Sequence, residues 1–175
     1  MKVQSEIKLD FTDVLLRPKR STLTSRSEVS LERKFTFLHS KQSWKGIPII
    51  VSNMDTVGTL DMLKVCSKNH LLTCLHKFID IELVIKSINE GLVDPEYMMV
   101  STGIREKDWK YLNKIVEKFK SHKILVKFIC IDVANGYMQI FADFCSKVRA
   151  KYPNITLIAG NVVTREVCEE LIING

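Results

Sequence analysis

The sequence predicts an α/β fold built from repeated strand–helix units, and three observations carry that prediction. Short apolar runs recur at Ile47–Ser52, Leu71–Leu75, Tyr97–Ser101, Phe128–Val133 and Ile155–Ala159. Amphipathic stretches alternate with them, and polar residues collect just after each run. The runs are apolar on both faces and rich in β-branched residues, Cys or Met, as parallel strands covered on both sides tend to be. The stretches Leu60–Lys68, Ile81–Glu90, Lys107–Lys120, Met138–Lys151 and Thr164–Asn174 have helical spacing. In the third, Leu112, Ile115, Val116 and Phe119 mark one apolar stripe. Asp80, Asp108 and Thr164 are expected N-caps, and Gly91 and Gly175 expected helix stops. Such units in series predict a parallel sheet with right-handed crossovers.

A parallel sheet can stay open or close into a barrel. An open dinucleotide-binding sheet normally shows a glycine-rich turn after its first strand. Here that turn reads SNMDTVGT, with one glycine and no GxGxxG. Polar residues stand instead after every run: Asn53 and Asp55, His76 and Lys77, Thr102, Asp132 and Asn135, Asn161. That distribution suits a (β/α)₈ TIM barrel, whose active site is assembled at the C-terminal ends of its strands. A full barrel needs about 250 residues. At 175 residues the chain is expected to supply the first five β-α units over residues 46–175, an incomplete barrel. Residues 1–45 lie outside the rhythm and alternate enough to suggest a β-hairpin or arm, with a loop around Ser21–Arg26.

Composition narrows the function classes. Hydrophobic residues make up 46% of the chain, enough for a real core. No apolar run reaches the ~18 residues of a membrane span, and MKVQSEIKLDF does not read as a signal peptide. The net charge of +6 suits an anionic ligand. Lys107, Lys110, Lys114, Lys118, Lys120 and Lys123 are spread along a helix without interleaved strand aromatics, so a solvated face is the expectation and nucleic acid is not. Cys66, Cys74, Cys130, Cys145 and Cys168 lack metal-like spacing and read as reduced core thiols in a cytoplasmic protein.

The candidate chemistry sits at strand ends. Alternation places Leu71, Thr73, Leu75 and Lys77 on one side of the second run, and Phe128, Cys130 and Asp132 on one side of the fourth. Both charged residues then reach one mouth. Partial desolvation favours a neutral amine, a nearby carboxylate favours the charged one, and such a pair can hold or deliver a proton. A structural ion pair is the competing reading. Asn161 offers a donor and an acceptor for a sugar or base, or bonds backbone in its own loop. Ser25-Arg26 could grip a phosphate, or be plain surface. His76 is expected to point away from Lys77.

Four strings carry a resemblance that pattern alone does not. LDFTDVLLRPKRSTLTSRSEVSLER at 9–33, IPIIVSNMDTVGT at 47–59, ICIDVANGY at 129–137 and AGNVVTREVCEELI at 159–172, with LHK at 75–77, resemble the GMP reductases of the IMP dehydrogenase/GMP reductase family. The resemblance implies NADPH-dependent conversion of GMP to IMP and ammonia, an interconversion of purine salvage, through a cysteine-linked purine. It implies that Lys77 and Asp132 serve catalysis. It also implies that Ser25, Arg26, Lys77, Asp132, Val133 and Ala134 contact NADPH/NADP, and that Asn53, Met54 and Asn161 lie around the nucleotide. A homotetramer is implied as well. The family's cysteine lies in a GxGSxCT loop that also holds potassium; that string is not in this sequence, and none of the five cysteines matches it. The sequence as it stands is therefore expected to be an inactive half-barrel with an exposed strand edge, and no metal ligands are expected in it. The alternatives are the sister reaction, NAD-dependent oxidation of IMP to XMP, and an inactive half-barrel that binds nucleotide or a partner subunit.

Overall fold

Strand β2, Ser43–Val51, serves two ladders at once. Its first residues pair antiparallel with β1, Arg33–Thr36, from Arg33↔Gly46 to Thr36↔Ser43. Its later residues pair parallel with β3, Leu71–Leu75. Beyond β3 follow β4 (Met98–Thr102), β5 (Phe128–Asp132) and β6 (Thr156–Gly160), all parallel and in chain order. The computed structural model describes residues 5–175, and among them the sheet has six strands. Helices α1 (Leu60–Lys68), α2 (Ile81–Asn89), α3 (Glu106–Ser121), α4 (Gln139–Lys151) and α5 (Arg165–Ile173) follow β2 to β6 in turn. This is the alternation of a barrel, part of one.

The expected elements fall within a few residues of the observed ones, and their ends are local chemistry. Asp80 caps α2 by accepting from the Glu82 amide at 2.9 Å, and Gly91 follows that helix at φ 71°. Asp108 is not the cap of α3. It is the third residue of the helix, and its carboxylate reaches back to the Arg105 amide at 3.1 Å. Thr164 is the cap of α5, but its side chain makes no capping bond.

The compact units divide between Ser30 and Leu31, earlier than residue 45. Residues 9–33 do not pair as a hairpin among themselves. The N-terminal unit holds single 3₁₀ turns at Phe11–Asp13 and Arg26–Glu28, capped by Asp10 and Ser25. The hairpin lies later, between β1 and β2. Of the region that suggested it, Arg33–Thr36 form β1, which pairs with the start of β2.

Within the second unit the sheet separates two apolar layers. The larger joins Leu75, Met98, Val100, Ile129 and Ile131 to helix residues such as Leu63, Val84, Phe119, Phe141 and Val148. The smaller, on the inner face, gathers Trp44, Leu72, Cys74, Tyr97, Met99 and Phe128. Trp44 anchors it, meeting Tyr97 and Phe128 edge-on and donating its indole N–H to the Glu96 carbonyl at 3.2 Å. Gly46 permits this arrangement, since a Cβ there would come within 2.6 Å of the His70 carbonyl and the Trp44 ring. Around the strand starts, Glu32 pairs with Lys45 at 2.5 Å and hydrogen-bonds His70, which stacks on Tyr97.

Removing the anchor tests the inner layer. Trp44→Ala is expected to cost about 3–5 kcal/mol of unfolding free energy, read as a lowered urea midpoint. Lys45, and secondarily His70, hold the Glu32 carboxyl below its ordinary 4.5. A depressed carboxyl contributes stability above its unfolded value and loses it as pH falls below. The melting temperature is therefore expected to drop on acidification below pH 4.5, and Glu32→Gln is expected to lower it at pH 7 and flatten the acid limb.

Candidate functional site

The parallel ladders set the C-terminal ends of β2 to β5 side by side, and a polar hollow of about 190 Å³ opens there. Asn53, Asp55, Lys77, Ser101, Thr102 and Asp132 line it. A neighbouring hollow of about 410 Å³ shares Lys77 and Asp132 and adds Arg105, Val133, Ala134, Met138 and Ile140. The ammonium of the second barrel strand and the carboxylate of the fourth thus open on common cavities.

They arrive by a different route from simple alternation. Leu75 packs with the helices, whereas Phe128 and Cys130 belong with the inner layer that Asp132 continues. Strict alternation through residue 77 would have sent Lys77 out with Leu75. The strand ends at Leu75, however, and a turn closed by the Ile79 amide on the His76 carbonyl at 3.1 Å carries Lys77 back over the hollow. His76 stays in the turn. Its Nδ1 accepts from the Phe78 amide at 3.2 Å, so the ring orients the loop. Lys77 and Asp132 are not an ion pair. The Lys77 ammonium lies 5.2 Å from the Phe78 ring, and Asp132 accepts instead from the Asn53 amide at 3.0 Å.

Two glycines let these loops close. The Gly58 amide donates to the Met54 carbonyl at 2.8 Å, and its own carbonyl accepts from the His76 amide at 3.1 Å. A Cβ on Gly58 would overlap the Cys74 carbonyl and sit 2.8 Å from that of Ser52. Met54 itself is exposed and lines neither hollow, and its carbonyl is the structural contact. After β5, the Gly136 amide donates to the Asn161 carbonyl at 2.9 Å, and the Asn161 side-chain amide donates to Val133 at 2.9 Å. Asn161 thus spends its donor on backbone across the β5–β6 gap and lines neither hollow. Tyr137, unnoticed in the sequence, accepts from the Val163 and Thr164 amides at 2.9 and 2.8 Å and so holds the chain just ahead of α5. Its phenol is held below the ordinary value, first by the hydrogen bond with Thr164. Ser25 and Arg26 lie on the N-terminal unit, where Ser25 Oγ accepts from the Ser27 amide at 3.2 Å.

The thiols are placed for packing. Cys74 is buried on the inner face, and the neighbouring Cys130 thiol, with burial second, pushes its own thiol far up. Burial pushes Cys145 up to about 11. Thiols held protonated at neutral pH are poor nucleophiles.

The pattern of the IMP dehydrogenase / GMP reductase domain matches residues 8–175. The chain belongs to that family. It is 48% identical over 176 aligned residues to a GMP reductase of Escherichia coli O81 (strain ED1a) and, equally, to one of Shigella boydii serotype 4 (strain Sb227). In both cases all of this chain aligns, with 50% of the relative. The chain spans about half the length of these curated relatives. A crystal structure of inosine 5′-monophosphate dehydrogenase from Legionella pneumophila superposes with a TM-score of 0.70 at 26% identity, over 94% of this chain and 47% of that one. The fold is a partial TIM barrel of this family. Among the described residues no helix is long and apolar enough to cross a membrane.

Gly58→Ala is expected to lower the melting temperature and to cost about 1–3 kcal/mol, because its neighbours are backbone carbonyls that cannot yield cheaply. Chemical denaturation beside Gly91→Ala, where a Cβ meets open space but φ is positive, checks it.

Proposed function

We propose that this chain is the N-terminal part of a cytoplasmic GMP reductase that converts GMP to IMP and ammonia with NADPH, in purine nucleotide interconversion. The observation that carries the reading is the shared hollow of Lys77 and Asp132, found in a chain whose relatives are GMP reductases. On this reading residues 46–175 supply the first part of the catalytic barrel and residues 1–45 an arm. The chemistry balances as GMP + NADPH + H⁺ → IMP + NADP⁺ + NH₃.

The residues present fit the cofactor by their chemistry. The larger hollow sets Lys77 and Arg105, cations for phosphate, beside Val133, Ala134, Met138 and Ile140, an apolar wall for a ring. Asp132, Val133 and Ala134 would line the nicotinamide, and when bound the cofactor supplies hydride to the purine carbon that loses its amine. Lys77 supplies the proton that the departing amine needs, since among the described residues no carboxylate is in ion-pair contact with its ammonium, which can turn toward substrate. Asp132 lines the same hollows without touching that ammonium, and its carboxylate favours the charged lysine there through space. Asn53 fixes the carboxylate, and Met54 and Asn161 shape the loops around the nucleotide. The cysteine that attacks the purine, and the potassium site beside it, belong on this reading to the GxGSxCT loop of the full-length enzyme. Ser25 and Arg26 reach a neighbouring subunit's cofactor in a homotetramer.

In the full-length enzyme, Lys77→Ala and Asp132→Asn are each expected to lower kcat about 100-fold or more, the scale of a positioned proton donor. The decrease of 340 nm absorbance on mixing GMP with NADPH measures it. Wild-type protein that consumes no NADPH with GMP, yet reduces NAD with IMP, would replace this reading with the sister oxidation.

A further inference from the structure

The peptide group that joins Leu75 to His76 is held at both of its polar ends. Its carbonyl accepts from the Ser101 hydroxyl at 2.6 Å, and its N–H donates to the Gly58 carbonyl at 3.1 Å. A peptide unit is planar, so bonds at its two ends fix its plane and the direction in which the chain leaves it. The chain leaves it toward Lys77. The turn is closed further on, where the His76 carbonyl accepts from the Ile79 amide and the His76 ring from the Phe78 amide. Ser101 stands where the sheet changes from packing to polar surface. It shares the inner side of β4 with Met99, which packs in the aromatic layer, while Val100 between them faces the helices. The ladder between β3 and β4 ends at Leu75↔Val100, yet β4 continues to Thr102. The hydroxyl thus adds a side-chain link at the point where that ladder stops. Ser101 is 5% exposed and lines the same hollows as Lys77.

We propose that Ser101 is a positioning residue for the Lys77 ammonium: its hydroxyl sets the Leu75–His76 peptide plane and so aims the lysine at the departing amine. It acts through the turn and not on substrate, because its one proton is committed to the Leu75 carbonyl. The assignment rests on the proposed role of Lys77 as proton donor, and adds which group outside the turn holds that donor in place. Without the hydroxyl the charge stays in the hollow but its position spreads, and a misplacement of about 1 Å at a reacting group costs on the order of 100-fold in rate. GMP binding, which on this reading rests on the loops of Asn53, Met54 and Asn161, is expected to change little.

The test is steady-state kinetics of the full-length enzyme with GMP and NADPH at 340 nm, beside its melting temperature. Ser101→Ala is expected to lower kcat about 10–100-fold while KM for GMP stays within about 3-fold, as when an interaction used in the chemical step is lost. Ser101→Thr, which keeps the hydroxyl, is expected to return kcat to within about 3-fold of wild type. Ser101→Cys, a weaker donor of similar size, is expected to fall between the two, and carries the test if Ser101→Ala does not fold. In a Lys77→Ala background, Ser101→Ala is expected to cost less than about 2-fold more, because the group it aims is gone. Wild-type kcat in Ser101→Ala or Ser101→Cys overturns the assignment. So does a loss that multiplies with that of Lys77→Ala, or Ser101→Thr no better than Ser101→Ala at equal melting temperature. Wild-type enzyme that reduces GMP while Lys77→Ala leaves kcat intact removes this role together with the donor role of Lys77, and keeps the reductase reading. Wild-type protein that consumes no NADPH with GMP removes both.

Discussion

Parallel register is the constraint on which the rest of this structure depends. Leu75 pairs with Val100, Thr102 with Ile131, and Asp132 with Gly160, so each strand finishes at most two residues short of the next. Turns that leave the sheet at one height bring their side chains to one surface, whatever their separation in the chain. Asn53 and Asp132 meet across the sheet for that reason, although 79 residues separate them. The hydrogen-bonded ladder is built from apolar residues without chemical function, yet it brings polar residues distant in the chain to one end of the sheet.

The two faces of the sheet divide the remaining labour. Helices cover one face with a continuous apolar layer. The other carries a small aromatic plug around Trp44 and Phe128 near the strand starts and polar residues near the strand finishes. The thiols Cys74 and Cys130 belong to the inner layer, Cys74 buried and Cys130 partly so. A site built above a packed plug can hold charged side chains at its rim without burying them, and Lys77 and Asp132 are both exposed.

Most of the fold was legible in the sequence because hydrophobic period and strand length speak directly of a parallel sheet. The five helices lie where their apolar stripes put them, and Asp80 and Gly91 mark their ends for plain steric and hydrogen-bonding reasons. The N-terminal region was less legible. Alternation identifies a strand but not its partner, and β1 pairs with residues 43–46 rather than with the arm. At the site, residue types at strand ends gave the right neighbourhood for Lys77 and Asp132, while parity gave the wrong route. Parity holds only as far as the ladder, and β3 stops two residues before the lysine. Arg105 and Tyr137 carried no signal in one dimension. A cation in a helix start looks like any solvated cation until the folded chain shows what stands opposite.

Pro48 gives the first barrel strand a property beyond its place in the ladder. The Ile47 amide donates to the His70 carbonyl, so backbone alternation turns the nitrogen of residue 48 to the side away from β3. Ile49 and Ile50, which follow it, are about half exposed. Proline has no hydrogen to offer an incoming strand, and the local irregularity, in which β2 advances from Ile47 to Ile50 while β3 moves only from Leu71 to Leu72, spoils the spacing as well. Pro48 therefore leaves the first barrel strand without a donor on that side, at the point where its register with β3 shifts.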